Sequence, residues 1–293
     1  MAIDSGVYAR STRQALPRPV KATKPPGLSR PRSTADWIAY FQGNASRNRA
    51  VPWTRGEMRP ETTAIARSLQ AWQLGETSEG RHLLAVATRY AARNGDLEFP
   101  ALIGLFIREE QRHGELLGQF LDLAGIGRIQ ADWGDSLFRA VRYCLTNMEI
   151  WTTPVVMVET LATIYYNAIR RATGSRVLQT ICCQILADEI PHVQFQCERL
   201  AQILRHRSRF GFQLTLLAQR LLFLVIVVLV WSGHRCALRA GGYSWRHYWR
   251  ASWSKMNCSW RKMDPQRYAW RTEIDSVVTA FQATGWSASG PRS

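Results

Sequence analysis

A chain of 293 residues with 46% apolar side chains can bury a substantial core, which excludes global disorder. The formal charge of +16 is unevenly spread: residues 1–59 hold 11 basic and 3 acidic side chains (+8), residues 60–204 hold 13 and 16 (−3), and residues 205–293 hold 14 and 3 (+11). A protein built around a polyanion carries its basic face across the folded body, so a slightly acidic centre argues against nucleic acid as a main partner.

The basic ends suit solvent, a membrane surface, a nucleic acid or an acidic partner. Six cysteines, at 144, 182, 183, 197, 236 and 258, form no CxxC pair and no small-domain framework, as expected of a reducing compartment. Residues 1–19 contain no continuous apolar stretch, against a secretory signal. The expected location is cytoplasmic, with membrane association left open by the C-terminal third.

In chain order, residues 1–35 are rich in Pro, Ser, Thr, Arg and Lys, with Pro17, Pro19, Pro25, Pro26 and Pro31 breaking any regular element. The whole segment 1–60 is expected to be basic and largely flexible. From Glu61 to Arg93 apolar positions recur at helical spacing, ending at Asn94-Gly95-Asp96. A second helix is expected over Phe99–Leu123, with Pro100 in its first turn and Gly125 and Gly127 after it. After a connection of roughly a dozen residues, a third spans Asp135–Arg171, bent at Pro154. Thr173-Gly174-Ser175 then turns the chain into a fourth, Arg176–His206.

No period-two alternation interrupts this centre, so the expected fold is all-α: a four-helix bundle over 61–210, two hairpins joined by a longer crossover. Residues 211–293 form a C-terminal extension with further helices. Its first part, Phe212–Trp231, is almost wholly apolar but for Gln213, Gln219 and Arg220. Its second part is dense in arginine and tryptophan, including Trp245, Trp249, Trp253, Trp260 and Trp270. The apolar segment can be buried against the bundle or a second subunit, lie on a membrane, or cross one. Burial is the expected placement.

Two short patterns carry chemistry: Glu110-Gln111-Arg112-His113 on the second helix and Glu189-Ile190-Pro191-His192 on the fourth. A carboxylate and an imidazole three residues apart share one helical face and can reach one metal ion. Turn geometry doubles the signal. Glu79 lies 16 residues before Gly95 and Glu110 lies 15 after it; Glu159 and Glu189 each lie 15 from Gly174. Residues equidistant from an antiparallel turn sit at one level, so each hairpin joins a lone Glu to a Glu-His pair. Four clustered carboxylates repel unless cations neutralise them, and mixed oxygen and imidazole ligation suits iron or manganese.

These motifs resemble those of the ferritin-like superfamily, in particular its di-iron carboxylate oxygenases and its rubrerythrin-like members, over about residues 61–206. Residues 110–113 match the family's frequent ExRH form, and Asp188-Glu189-Ile190-Pro191-His192 its DExxH form. The resemblance implies a ferritin-like bundle whose six protein ligands are Glu79, Glu110, His113, Glu159, Glu189 and His192, holding two iron ions, or manganese, or a mixed manganese and iron pair. It implies that Asp188 hydrogen-bonds a ligating histidine. Thr163, one turn after Glu159, stands where several family hydroxylases carry a hydroxyl near the dioxygen side.

Glu76, one turn from Glu79, is the alternative on the first helix, and Glu79 is preferred on level matching. His82 makes a third ExxH that the scheme does not need. Glu109, Glu115 and Glu198 read as solvated or supporting acids, Cys182 and Cys183 as packed side chains, and Trp151, Tyr165 and Tyr166 as core aromatics. The expected activity is a dioxygen-dependent oxidoreductase, a hydroxylase or related oxygenase acting on a small or lipid-like organic substrate. An electron-donor protein and a homodimer are compatible partners. The alternatives are a ferroxidase or iron-storage protein, and a membrane-associated interaction protein working through residues 212–270.

Overall fold

In a computed structural model, residues 30–47, 50–53, 60–134, 136 and 147–270 are described. The sequence-expected tail over 1–29, Cys144, most of the first ten residues expected of the third helix, and the chain beyond Trp270 lie outside these residues. Among the described residues there are helices and no β-strand: α1 Thr34–Ala45, α2 Pro60–Glu76, α3 Arg81–Asn94, α4 Phe99–Leu123, α5 Met148–Ala172, α6 Arg176–Leu204, α7 Arg209–Ala240 and α8 Trp245–Met263, then one 3-10 turn, Pro265–Arg267. The chain is all-α.

Local chemistry sets the helix ends. Ser175 begins α6 by accepting the Leu178 N–H at 3.1 Å, and Asn147 begins α5 by accepting that of Ile150 at 2.9 Å. Gly95 and Gly125 close α3 and α4 in the left-handed conformation. The single helix expected over Glu61–Arg93 is instead two. Thr77 Oγ1 turns back to the Leu74 carbonyl at 2.7 Å, and Gly80 takes φ +68°. A Cβ at Gly80 would stand 2.5 Å from Ile107 Cδ1, so the close approach of α4 and the left-handed backbone both require glycine there.

Helices α5 and α6, joined by three residues, pack along their length, and α2 and α4 make a second close pair. Three apolar clusters fill the interior. One joins α2, α4, α5 and α6, with Trp72 stacked on Tyr165 at 4.0 Å between ring centroids. Another joins α5 and α6 to α7 and α8 through Phe223, Val227, Tyr248 and Trp260. The third joins α1, α3 and α4 to the start of α5 and to Phe195 of α6.

One expectation about the chain's ends changes. Residues 34–45, inside the segment expected to be largely flexible, form α1, whose Trp37 and Phe41 are buried. A capping box at Ser33 and Asp36 starts it. Trp37 Nε1 donates to Glu198 at 3.2 Å, and Thr34 Oγ1 donates to Asp96 at 2.6 Å while accepting from Arg199 at 3.1 Å. In the C-terminal extension, where burial against the bundle is expected, α7 and α8 share an apolar cluster with α5 and α6. At Gly241 the end of α7 meets the α5 backbone so closely that a Cβ would lie 2.4 Å from the Ala168 carbonyl oxygen.

The expected burial of the apolar segment holds for one face of α7 only. Phe223, Ile226 and Val227 are buried, whereas Leu214, Leu217, Leu221 and Val225 are more than half exposed. This helix is long and apolar enough to cross a membrane.

Candidate metal centre

Four helices bring acids and imidazoles together where the first and third apolar clusters meet. On one side Glu76, the last residue of α2, accepts from Trp72 Nε1 at 3.0 Å and from the Tyr166 hydroxyl at 2.8 Å. On the other, His192 packs against Phe41 and Phe106, with ring centroids 5.7 and 5.0 Å away. Between them lie Glu110 and His113 of α4, Glu159 of α5, and Glu189 of α6.

The two Glu-His motifs are arranged as mirror images. His113 Nε2 faces Asp188 at 3.2 Å, the acid that precedes Glu189; His192 Nε2 faces Glu109 at 3.3 Å, the acid that precedes Glu110. A carboxylate oxygen only accepts, so each contact fixes a proton on Nε2. Both Nδ1 atoms point inward: that of His192 is 2.8 Å from Glu110 Oε1, and that of His113 is 3.8 Å from both Glu110 Oε1 and Glu189 Oε1.

Asn44 of α1 donates through Nδ2 to both outer acids, Glu109 and, at 2.9 Å, Asp188. Arg112 also bridges them, at 3.3 and 2.5 Å. The outer layer is therefore hydrogen-bonded.

The inner layer is not. His113 Nδ1, His192 Nδ1, Glu110 Oε1, Glu159 Oε2 and Glu189 Oε2 are buried without a well-formed hydrogen bond to the protein. Unsatisfied buried polar atoms are unfavourable by about 1–3 kcal/mol each, and imidazole nitrogens and carboxylate oxygens left so fit the donor set of a cation. Two triads of ligand atoms, Glu76, Glu110 and His113, and Glu110, Glu189 and His192, each lie within 4.8 Å of one another. The cluster can hold a metal ion, and Glu110 belongs to both triads.

Electrostatics agree with a cation site. Burial pushes the Glu159 carboxyl up to about 8, with the charge of Glu110 adding to it. Burial also drives Glu76 and Glu189 well above the ordinary carboxylate range, again helped by Glu110. Glu110 itself is the ionised member. Burial pushes it upward, but the adjacent His192 and His113 outweigh that and hold it at about 2. Burial lowers His192, yet Glu109 and Glu110 raise it well above the ordinary histidine range. Without a cation, protons hold the acids together.

Of the sequence-expected residues, Glu110, His113, Glu159, Glu189 and His192 converge on this interior, and Asp188 stands beside His113 as expected. Two do not. Glu79 lies in the turn after α2, with a side chain 69% exposed and paired to Arg81 at 2.7 Å, because the break at Gly80 ends the helix before it. Glu76 takes its place. Thr163 is buried, but its hydroxyl donates to the Thr160 carbonyl of its own helix at 2.7 Å. The expected hydroxyl near the reacting side is thus committed to the backbone.

Sequence reasoning placed Glu109 among the supporting acids without seeing its partner, and it missed Asn44 and Gln196, whose Nε2 donates to Glu159. Gln196 lies one turn after His192 on the same face, a spacing that marks it in the sequence. No signal marks Asn44, in a segment read as flexible.

A cavity of about 1250 Å³ adjoins the cluster. Glu76, Glu110, Glu159 and Glu189 form its floor, and Phe106, Trp151 and Val155 are among its apolar walls. His82 lines it as well and belongs to neither triad. Among the described residues five cysteines are free, with Cys182 buried and Cys183 exposed. The chain matches no protein-family model, no curated protein and no solved structure.

Proposed function

We propose that this chain is a ferritin-like di-iron oxidoreductase that uses dioxygen to oxygenate an organic substrate bound in the cavity above the cluster. In this reading α2, α4, α5 and α6 are the four bundle helices, and Glu76, Glu110, His113, Glu159, Glu189 and His192 hold the two ions. The observation that carries it is the mirrored pair of imidazoles, each fixed by an outer acid with its Nδ1 turned inward among buried carboxylates.

A redox-active metal pair, when bound, supplies the electrons that reduce dioxygen. The remaining work belongs to the chain. Asp188 and Glu109 fix a proton on each Nε2, so that Nδ1 is the nitrogen turned toward a cation. Asn44 and Arg112 hold those acids in place. The apolar part of the cavity wall, with Phe106, Trp151 and Val155, presents a carbon chain to the floor. The balance for hydroxylation is one substrate C–H bond, one dioxygen, two electrons from an external donor protein and two protons, giving one hydroxylated product and one water.

The cavity is the feature that favours oxygenation over ferroxidase or storage activity, because a site that only oxidises iron has no use for an apolar chamber of this size. Iron loaded anaerobically should reach close to two ions per chain. After reduction, dioxygen uptake with an electron donor and a panel of apolar substrates should yield an oxidised product. Iron oxidation with no organic turnover across the panel would assign the ferroxidase reading instead. A folded chain that binds no metal would overturn both.

A further inference from the structure

The outer face of α7 carries a stripe that the fold leaves uncovered. Phe210, Leu214, Leu217, Leu221, Leu224 and Val228 recur every three or four residues and are exposed, a straight apolar band about 27 Å long. Val225, 52% exposed, and Leu222 stand at its edge and also line the cavity that reaches the Glu/His cluster, as does Leu229. The band therefore runs into one apolar wall of the cavity, whose other lining includes Arg67, Glu79, Arg81 and Asp132.

Charge says what that surface meets. From Arg205 to Met263 the chain has eleven Lys and Arg and no Asp or Glu. Arg205, Arg207 and Arg209 flank one end of the stripe, and Arg235, Arg239 and Arg246 flank the other with the exposed Trp245. Cations and tryptophan at both ends of an apolar band fit the headgroup level of an anionic bilayer. A crossing orientation does not fit: α7 packs on α2, α5 and α8, so a span would draw Arg67, Arg250 and Arg261, all exposed, into hydrocarbon.

We infer that α7 lies in the plane of an anionic lipid surface with its outer stripe in the acyl region, and that the cavity admits an apolar chain from that surface to the cluster. This rests on the reading of the cluster as an oxygenating centre only for the fate of the chain; the docking and the admission stand on α7 and the cavity. The substrate class is therefore an amphipathic molecule with an extended apolar chain. Its polar end stays toward the headgroups or meets the cavity wall, where the buried Trp151 Nε1 lacks a partner.

The test uses the full chain with vesicles of phosphatidylcholine alone or mixed with phosphatidylglycerol, the mixed ones carrying a fatty acid with a photoactivatable diazirine on its chain. The protein should sediment with the anionic vesicles, 0.5 M salt should weaken that binding, and an alkaline carbonate wash should release the chain without detergent. Leu217→Glu with Leu221→Glu, both at exposed positions, should weaken that binding by more than about tenfold, with helical content and bound metal unchanged. Crosslinks should appear on Phe106, Trp151 or Val155, inside the cavity. Crosslinks confined to α7 would overturn the admission of the chain. A lipid-free dimer that ignores both kinds of vesicle would overturn the docking and give the stripe to a second copy, and a chain released only by detergent would overturn the in-plane placement. Metal content and dioxygen uptake are measured separately, so failure of the cluster's chemistry leaves the vesicle result intact.

Discussion

His192 joins two consecutive acids of α4: its Nε2 lies 3.3 Å from Glu109 and its Nδ1 2.8 Å from Glu110. The first acid orients the ring and the second shares its inward space. Asp188 does for His113 what Glu109 does for His192. Replacing an outer acid leaves the inner atoms in place but removes the orientation, so Asp188→Asn and Glu109→Gln should each weaken metal affinity by about 10–100-fold. His192→Ala should abolish one ion outright. Chelator competition with metal quantitation separates the two classes, and equal losses would show that the outer acids do more than orient.

The helix break at Gly80 yields a second contrast. Glu76→Ala should lower metal occupancy and change the environment of Trp72 and Tyr166, whose side chains donate to it. Glu79→Ala should leave occupancy intact, since an exposed ion pair with Arg81 contributes at most about 1 kcal/mol. The reverse pattern would restore the continuous helix and the level matching that pointed to Glu79.

Protonation makes the metal-free chain sensitive to alkali. Glu159 has an ordinary value of 4.5 in the unfolded chain and about 8 when folded, and Glu76 and Glu189 shift the same way. A raised folded pKa means that the folded state keeps protons the unfolded state releases. The stability tied to those protons is full below about pH 4.5 and is lost as pH rises through about 8. His192, also raised, acts in the same direction. Glu110, held at about 2, loses its contribution only in acid, outside this window. The unfolding free energy of the metal-free chain should fall between pH 5 and pH 9 by on the order of a few kcal/mol, read as a lowered melting temperature. The metal-loaded chain should resist the change, and loading at pH 7 should release protons. A flat metal-free profile would contradict the site's electrostatics.

Where α7 meets α5 the packing admits no side chain. Gly241→Ala would set a Cβ 2.4 Å from the Ala168 carbonyl oxygen, and backbone on the opposite side cannot rotate away. Destabilisation of about 1–3 kcal/mol is expected, read as a lowered melting temperature. Gly233→Ala in the same helix is the control: its nearest neighbour would be Trp133 at 3.6 Å, an ordinary contact, so it should be neutral or slightly stabilising.

Periodicity and spacing in the sequence were enough for the all-α class, the turns at Gly95 and Gly174, and five of the six acids and imidazoles that converge, because helical phase is local: residues three or four apart share a face wherever the helix lies. Glu79 failed for a reason equally local but weaker in sequence. A helix ends when its backbone finds a better partner, and the Thr77 hydroxyl together with a left-handed Gly80 ended α2 one turn early. What lay beyond local phase was decided by tertiary contact. Asn44 reaches Glu109 and Asp188 only because α1 folds across α4, and Thr163 turns to its own backbone because its helix presents that side to packing rather than to the cavity. The apolar run in α7 reads the same along the chain whether buried or exposed. Only its contacts with α2, α5 and α8 fix which half of its circumference the fold covers, since burial depends on what packs against a face and hydrophobicity alone does not supply the neighbour.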